Sequence, residues 1–138
     1  MFAVADNERR RRVLIVDDHV DSAELLSELL SAQGHETRVA HDPSSAVREA
    51  LELKPQVAIL DIGLPGMSGY ELLELLRSKS ELAECRFIAL TGHAEPTDRR
   101  RSIEAGFQLH LCKPFDLRAV LSAVAGEPPT TRTSNVGG

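Results

Sequence analysis

The chain has 138 residues, 42% of them hydrophobic and 27% charged, which is enough for one domain with its own core and too little for a second. Its 16 basic and 21 acidic side chains leave a net charge of −5, which argues against nucleic-acid binding driven by bulk positive charge. Apolar runs such as Val13–Val16 and Val57–Leu60 hold four residues, against the roughly 18 of a membrane-spanning helix.

The chain starts without the apolar region of a signal peptide, and its two cysteines, Cys85 and Cys112, stand at no pairing or metal-ligand spacing. A cytoplasmic protein without membrane contacts is expected. Residues 1–11 read as a flexible charged lead-in. No aromatic residue is interleaved with Arg9–Arg12, so those arginines read as a solvated approach to the first strand rather than an anion-binding arm.

Val13–Val16 reads as a strand, and Asp21–Gln33 as a helix whose Leu25, Leu26, Leu29 and Leu30 make one buried stripe before Gly34 stops it. Glu36–Ala40 is a weaker strand at a sheet edge. Asp42-Pro43 starts a helix over 44–53 carrying Val47, Ala50 and Leu51. The strand Val57–Leu60 precedes a helix over Tyr70–Ser78 with Leu72, Leu73, Leu75 and Leu76. After the strand Phe87–Leu90 comes a polar helix, Thr97–Ala105, dominated by Arg99, Arg100 and Arg101.

The alternation of Phe107, Leu109 and Leu111 predicts a second edge strand over Phe107–Cys112. Asp116 caps a last helix with Leu117, Val120, Leu121 and Val124. Residues 126–138 are rich in Gly, Pro, Thr and Ser and are expected to be disordered. Strand and helix thus alternate five times. That predicts an α/β fold, (βα)5, with a parallel sheet and helices on both faces.

The chemistry sits where strands end. Val13–Val16 runs into Asp17-Asp18, Val57–Leu60 into Asp61, Phe87–Leu90 into Thr91 and Phe107–Cys112 into Lys113. A parallel sheet puts all these ends on one edge, where such folds bind ligands. Three carboxylates there repel one another unless a cation neutralises them, and oxygen donors without His or Cys favour Mg2+. A carboxylate beside Mg2+ can attack phosphorus and form an aspartyl phosphate, whose oxygens Lys113 and Thr91 can stabilise.

The ordered set VLIVDDH (Val13–His19), ILDIGLPGMSGYELL (Ile59–Leu73), ALTGH (Ala89–His93), EAGF (Glu104–Phe107) and LCKPF (Leu111–Phe115) resembles the receiver domain of bacterial two-component response regulators, over about residues 12–125. The spacing agrees, with Thr91 lying 30 residues after Asp61 and Lys113 another 22 on. The resemblance implies a doubly wound, flavodoxin-like sheet in the order 2-1-3-4-5. It implies Asp61 as phosphoacceptor, Asp18 as a direct Mg2+ ligand, Asp17 as a ligand through water and the Gly63 carbonyl as a further ligand. Thr91 would move to the phosphoryl group on activation and Lys113 would bridge it. A cis Lys113-Pro114 bond, an open site at Gly92, where a larger side chain would crowd the phosphoryl group, and a loop shaped by Pro65, Gly66 and Gly69 also follow from it.

Three positions depart from the commonest family pattern. His110 stands where the family usually has a Tyr or Phe switch, and its titration would make switching pH-dependent. Ser68 replaces an acid or amide and can cap the next helix. Gly63 and His93 occupy the variable positions that tune phosphoryl lifetime.

The resemblance implies a phosphorylation-controlled switch that takes its phosphoryl group from a histidine kinase or histidine phosphotransfer protein. It is expected to catalyse only its own phosphorylation and dephosphorylation, and to be a monomer or a phosphorylation-dependent dimer. With no DNA-binding or catalytic segment after Val124, output is expected through a downstream protein target, with Arg99, Arg100 and Arg101 as a partner face and no direct contact to nucleic acid. The alternatives are a receiver segment of a hybrid sensor histidine kinase and a constitutive binding module. A small-molecule phosphatase lacks both an Asp-x-Asp first strand and room for a cap domain.

Overall fold

The computed structural model describes residues 10–64, 66–92, 96–113 and 116–126, with the backbone alone at 96–99. Strands β1 (Arg12–Val16), β2 (Glu36–Ala40), β3 (Val57–Asp61), β4 (Arg86–Thr91) and β5 (Leu109–Cys112) alternate with helices α1 (Val20–Ala32), α2 (Pro43–Leu53), α3 (Gly69–Arg77), α4 (Pro96–Ala105) and α5 (Leu117–Ala125). A short 3-10 turn, Ser80–Leu82, follows α3. The sheet is parallel in the order β2-β1-β3-β4-β5, as the resemblance implies.

Two cores flank the sheet, because successive side chains of a strand point to opposite faces. Leu14, Val16, Ala58, Leu60, Phe87 and Ala89 pack with α2 and α3 through Ala46, Ala50, Leu72, Leu73 and Leu76. Val13, Ile15, Val57, Ile59, Ile88 and Leu90 pack on the other face with α1 and α5 through Ala23, Leu26, Leu30, Val120 and Val124. The continuous apolar runs of β1, β3 and β4 are thus strands covered on both sides.

Local signals fix the helix starts. The Asp42 side chain accepts from the Ser45 amide ahead of α2. Ser68 and Glu71 close a reciprocal capping box at α3, so Ser68 caps as its chemistry allows. Asp116 accepts from the Arg118 amide at α5.

The periodicity misplaces three details. Leu25 is 53% exposed, so the buried stripe of α1 is Ala23, Leu26 and Leu30 rather than four leucines. In α2 the buried positions are Ala46, Ala50 and Leu53, with Val47 and Leu51 only partly covered. β5 begins at Leu109, not Phe107. The Phe107 amide donates to Ser102 and that of Gly106 to Ile103, closing the end of α4 with Gly106 at φ +117°. Phe107 thereby enters the α2–α3 core, whereas Leu109 and Leu111 pack into the opposite one.

The arginines leading into β1 are not all free of the fold. The Arg11 amide donates to His35 Nδ1 at 3.0 Å and its Nη2 to the Ala125 carbonyl at 3.3 Å. Arg12 Nε donates to the carbonyls of Leu53 and Lys54 at the end of α2. Arg86 Nη2 donates to Ala123 and Val124 at the end of α5, at 2.7 and 3.0 Å. Guanidinium groups thus bond carbonyls of the last helical turns, at the negative end of the helix dipole. Among the described residues no helix is long and apolar enough to cross a membrane.

Candidate functional site

The carboxyl ends of β1, β3, β4 and β5 bring the predicted groups to one edge. Asp61 ends β3 and is 5% exposed; Asp17 follows β1 and is 1% exposed. The Asp17 amide continues the β1–β2 ladder by donating to the Ala40 carbonyl, and the Ile62 amide continues β3 by donating to Leu90. These bonds fix the backbone on which both acids ride. Thr91 ends β4 and is buried. The Lys113 amide donates to the Thr91 carbonyl at 2.7 Å, which aligns the lysine with the two acids.

The Lys113 ammonium stands between them, with Nζ 2.9 Å from Asp17 Oδ2 and 3.3 Å from Asp61 Oδ2. The amide of Gly63 donates to Asp61 Oδ1 at 2.8 Å, and that of His19 to Asp17 Oδ1 at 3.0 Å. Burial pushes the Asp17 carboxyl up, but the His19 amide and Lys113 outweigh it and hold Asp17 below the ordinary carboxylate range. At Asp61 burial wins over the Gly63 amide, and with the neighbouring Asp17 charge it lifts the carboxyl above that range. Burial lowers Lys113, and its contacts with both acids more than compensate, so its ammonium is held above the usual lysine value. The surroundings of the pocket therefore favour charge on Asp17 and disfavour it on Asp61.

Asp17, Asp18, His19 and Asp61 offer ligating atoms within 4.8 Å of one another. Asp18 Oδ1 is buried with no hydrogen-bond partner, and such an oxygen needs a cation or water to satisfy it. Three carboxylates with an orphaned oxygen fit a hard divalent cation such as Mg2+. Asp17 and Asp18 are thus where the sequence puts them. For Gly63 the observed contact is its amide on the Asp61 carboxylate.

Other predicted residues fare differently. A Cβ on Gly92 would meet no atom of the described residues within 4 Å, so the position opens onto free space beside Thr91. His110 lies on an edge strand yet is 7% exposed, with Nδ1 2.8 Å from the Ser102 hydroxyl on α4. Ser102 in turn lies 3.4 Å from the Tyr70 hydroxyl on α3. Arg100 and Arg101 are exposed, and the Arg101 guanidinium stacks over the Tyr70 ring at 4.2 Å. The side chain of Arg99, His93 and the Lys113-Pro114 bond lie outside the described residues. Two histidines at this edge had no role in the sequence reading. His41 Nδ1 meets the Asp17 carbonyl oxygen at 2.9 Å, and His19 faces both leading acids. The adjacency of His19 to Asp17-Asp18 was the signal available for it.

The profile of the response regulator receiver domain matches residues 13–125. The DNA-binding response regulator MtrA of Mycolicibacterium paratuberculosis is 32% identical over 115 residues, which cover 83% of this chain and 50% of that protein. The chain thus spans about half the length of the curated relatives it matches. Among solved structures, the chemotaxis response regulator CheY4 of Vibrio cholerae superposes with a TM-score of 0.76 at 28% identity, covering 83% of this chain and 98% of that one. The signal receiver domain of a histidine kinase from Syntrophus aciditrophicus gives 0.73 at 32% identity, over 83% and 86% respectively.

Proposed function

This chain belongs to the response regulator receiver domain family, and from that premise we propose that it is a switch thrown by transfer of a phosphoryl group to Asp61. The donor is a histidine kinase or a histidine phosphotransfer protein. The observation that carries the proposal is the placement of Asp61 at the end of the central strand, with the Lys113 ammonium 3.3 Å from Oδ2 and two further acids beside it.

In the transfer, an Asp61 carboxylate oxygen forms a bond to phosphorus as the donor's phosphorus–nitrogen bond breaks, and the leaving imidazole takes up a proton. Asp17, Asp18 and Asp61 would hold Mg2+, which when bound neutralises charge on the phosphoryl oxygens. Lys113 is already placed at Asp61 Oδ2 and can pair with a phosphoryl oxygen in its stead. The Thr91 hydroxyl, at the end of the neighbouring strand, can donate to another. Burial of Asp61 keeps bulk water from the acyl phosphate, and Gly63 and His93 are the positions that set its lifetime.

The signal leaves through protein contacts. Thr91 and Lys113 sit at the ends of β4 and β5, and β5 carries His110, which is bonded to Ser102 of α4. A shift of Thr91 toward the phosphoryl group can therefore reach α4, whose Arg100 and Arg101 are exposed for a partner. We assign the chain no enzymatic activity beyond its own phosphorylation and dephosphorylation. The likeness to a receiver from a histidine kinase favours, as a second reading, the same chemistry within a hybrid kinase.

Incubation with acetyl phosphate and Mg2+, read by intact mass, tests the assignment. One phosphoryl group should appear on the parent, none without Mg2+ and none on Asp61→Asn. If neither acetyl phosphate nor beryllium fluoride produces an adduct, the chain is a constitutive binding module.

A further inference from the structure

The acid cluster contains a group that phosphoryl transfer does not use. His19 occupies the cap position of α1 directly after Asp17 and Asp18, and its side chain is 68% exposed. Its Nδ1 lies 3.2 Å from Asp17 Oδ1 and 3.6 Å from Asp18 Oδ1. Donors placed about 2.1 Å from one ion stand at most about 4.2 Å apart. The 4.8 Å spread of the four ligating atoms therefore needs only a small closure, and an exposed ring is free to supply it. His41, the other described imidazole at this edge, is engaged by the Asp17 backbone carbonyl.

An all-oxygen pocket selects hard cations, whereas an imidazole is a donor suited to later first-row metals, whose affinities rise along the Irving–Williams order. The geometry points to His19 as a metal ligand, giving a site that takes Mg2+ through oxygen alone but holds Ni2+, Cu2+ and Zn2+ through oxygen and nitrogen together. The inference rests on the metal-binding reading of Asp17, Asp18 and Asp61 and adds the choice of ion to it. With Mg2+ bound, the ring keeps its contact to Asp17; with a first-row transition ion, it turns to the metal beside Asp18.

The test uses the full, untagged chain. Cu2+ is bound and examined by pulsed EPR for directly coordinated nitrogen, and Ni2+ and Mg2+ affinities are measured by calorimetry for the parent, His19→Gln and Asp18→Asn. The parent should show a nitrogen coupling that His19→Gln removes. The same change should weaken Ni2+ at least about tenfold while moving Mg2+ by no more than about twofold. Absence of the coupling, its survival in His19→Gln, or equal losses for Ni2+ and Mg2+ would overturn the proposal. Asp18→Asn separates the two layers. If it abolishes Mg2+ binding while His19→Gln changes nothing, the acid site stands and the role of His19 falls. If Mg2+ binding survives it, the acid-cluster reading falls and takes the proposal with it.

Discussion

Asp17 and Asp61 carry the same functional group in one pocket, yet their surroundings push them in opposite directions. The amide of His19 and the Lys113 ammonium stabilise the Asp17 charge, while burial and Asp17 itself destabilise the charge on Asp61. A carboxyl raised above its unfolded value weakens the folded state wherever it is ionised. In the presence of a chelator at neutral pH, Asp61→Asn should therefore raise the melting temperature, by about 4 °C for each kcal/mol relieved. Millimolar Mg2+ should narrow or reverse that difference, because it binds the folded parent and shifts its stability by mass action. Scanning calorimetry with and without Mg2+ checks both halves. Asp17, Asp18, Asp61, Thr91 and Lys113 were legible in the sequence because each lies within two residues of the end of an apolar strand run, and a parallel sheet gathers such positions at one edge. The orientation of His19 and the bond between His110 and Ser102 were not, since both depend on side-chain placement across elements that no spacing encodes.

At the scale of elements, helix starts were legible wherever one side chain does the capping, as at Asp42, Ser68 and Asp116. The start of β5 was not, because the backbone closes α4 through Gly106 and moves Phe107 to the other core despite its alternation with Leu109. Gly69 shows how an element end serves the site. A Cβ there would lie 2.6 Å from Ile62 Cα and 2.7 Å from the Asp61 carbonyl oxygen, both backbone atoms that cannot yield. Gly69→Ala should cost about 1–3 kcal/mol in urea unfolding and reduce phosphoryl incorporation, since relief must displace the segment holding Asp61. Arg86 offers a test away from the site. One of its nitrogens serves two carbonyls at the end of α5, so Arg86→Met should lower stability by about 1.5–3 kcal/mol, with faster amide exchange in the last turn of α5 and unchanged Mg2+ affinity.

Across the whole molecule the sheet has two chemically different edges. Acids and a lysine occupy the carboxyl ends of the strands, while Arg11, Arg12 and Arg86 bond helix carbonyls at the opposite edge. His35 belongs to the second edge: it is 9% exposed and accepts the Arg11 amide on Nδ1, which requires that nitrogen to be unprotonated. Burial, and then the Arg11 charge, lower its pKa from the ordinary 6.5. The stability it contributes is present above that value and is lost as pH falls from it through the depressed folded one. The parent should thus lose stability on acidification below about pH 6.5 more steeply than His35→Gln, as urea midpoints across pH 5–7.5 would show. The contact between Arg11 and Ala125, at 3.3 Å, also brings the first strand's approach and the end of α5 side by side, away from the acid cluster. Joining those two points with a short linker and opening the chain at an exposed loop on that same side should yield a circular permutant that retains phosphoryl uptake. By the same geometry, the domain can be spliced into a larger polypeptide by both ends without covering Asp61.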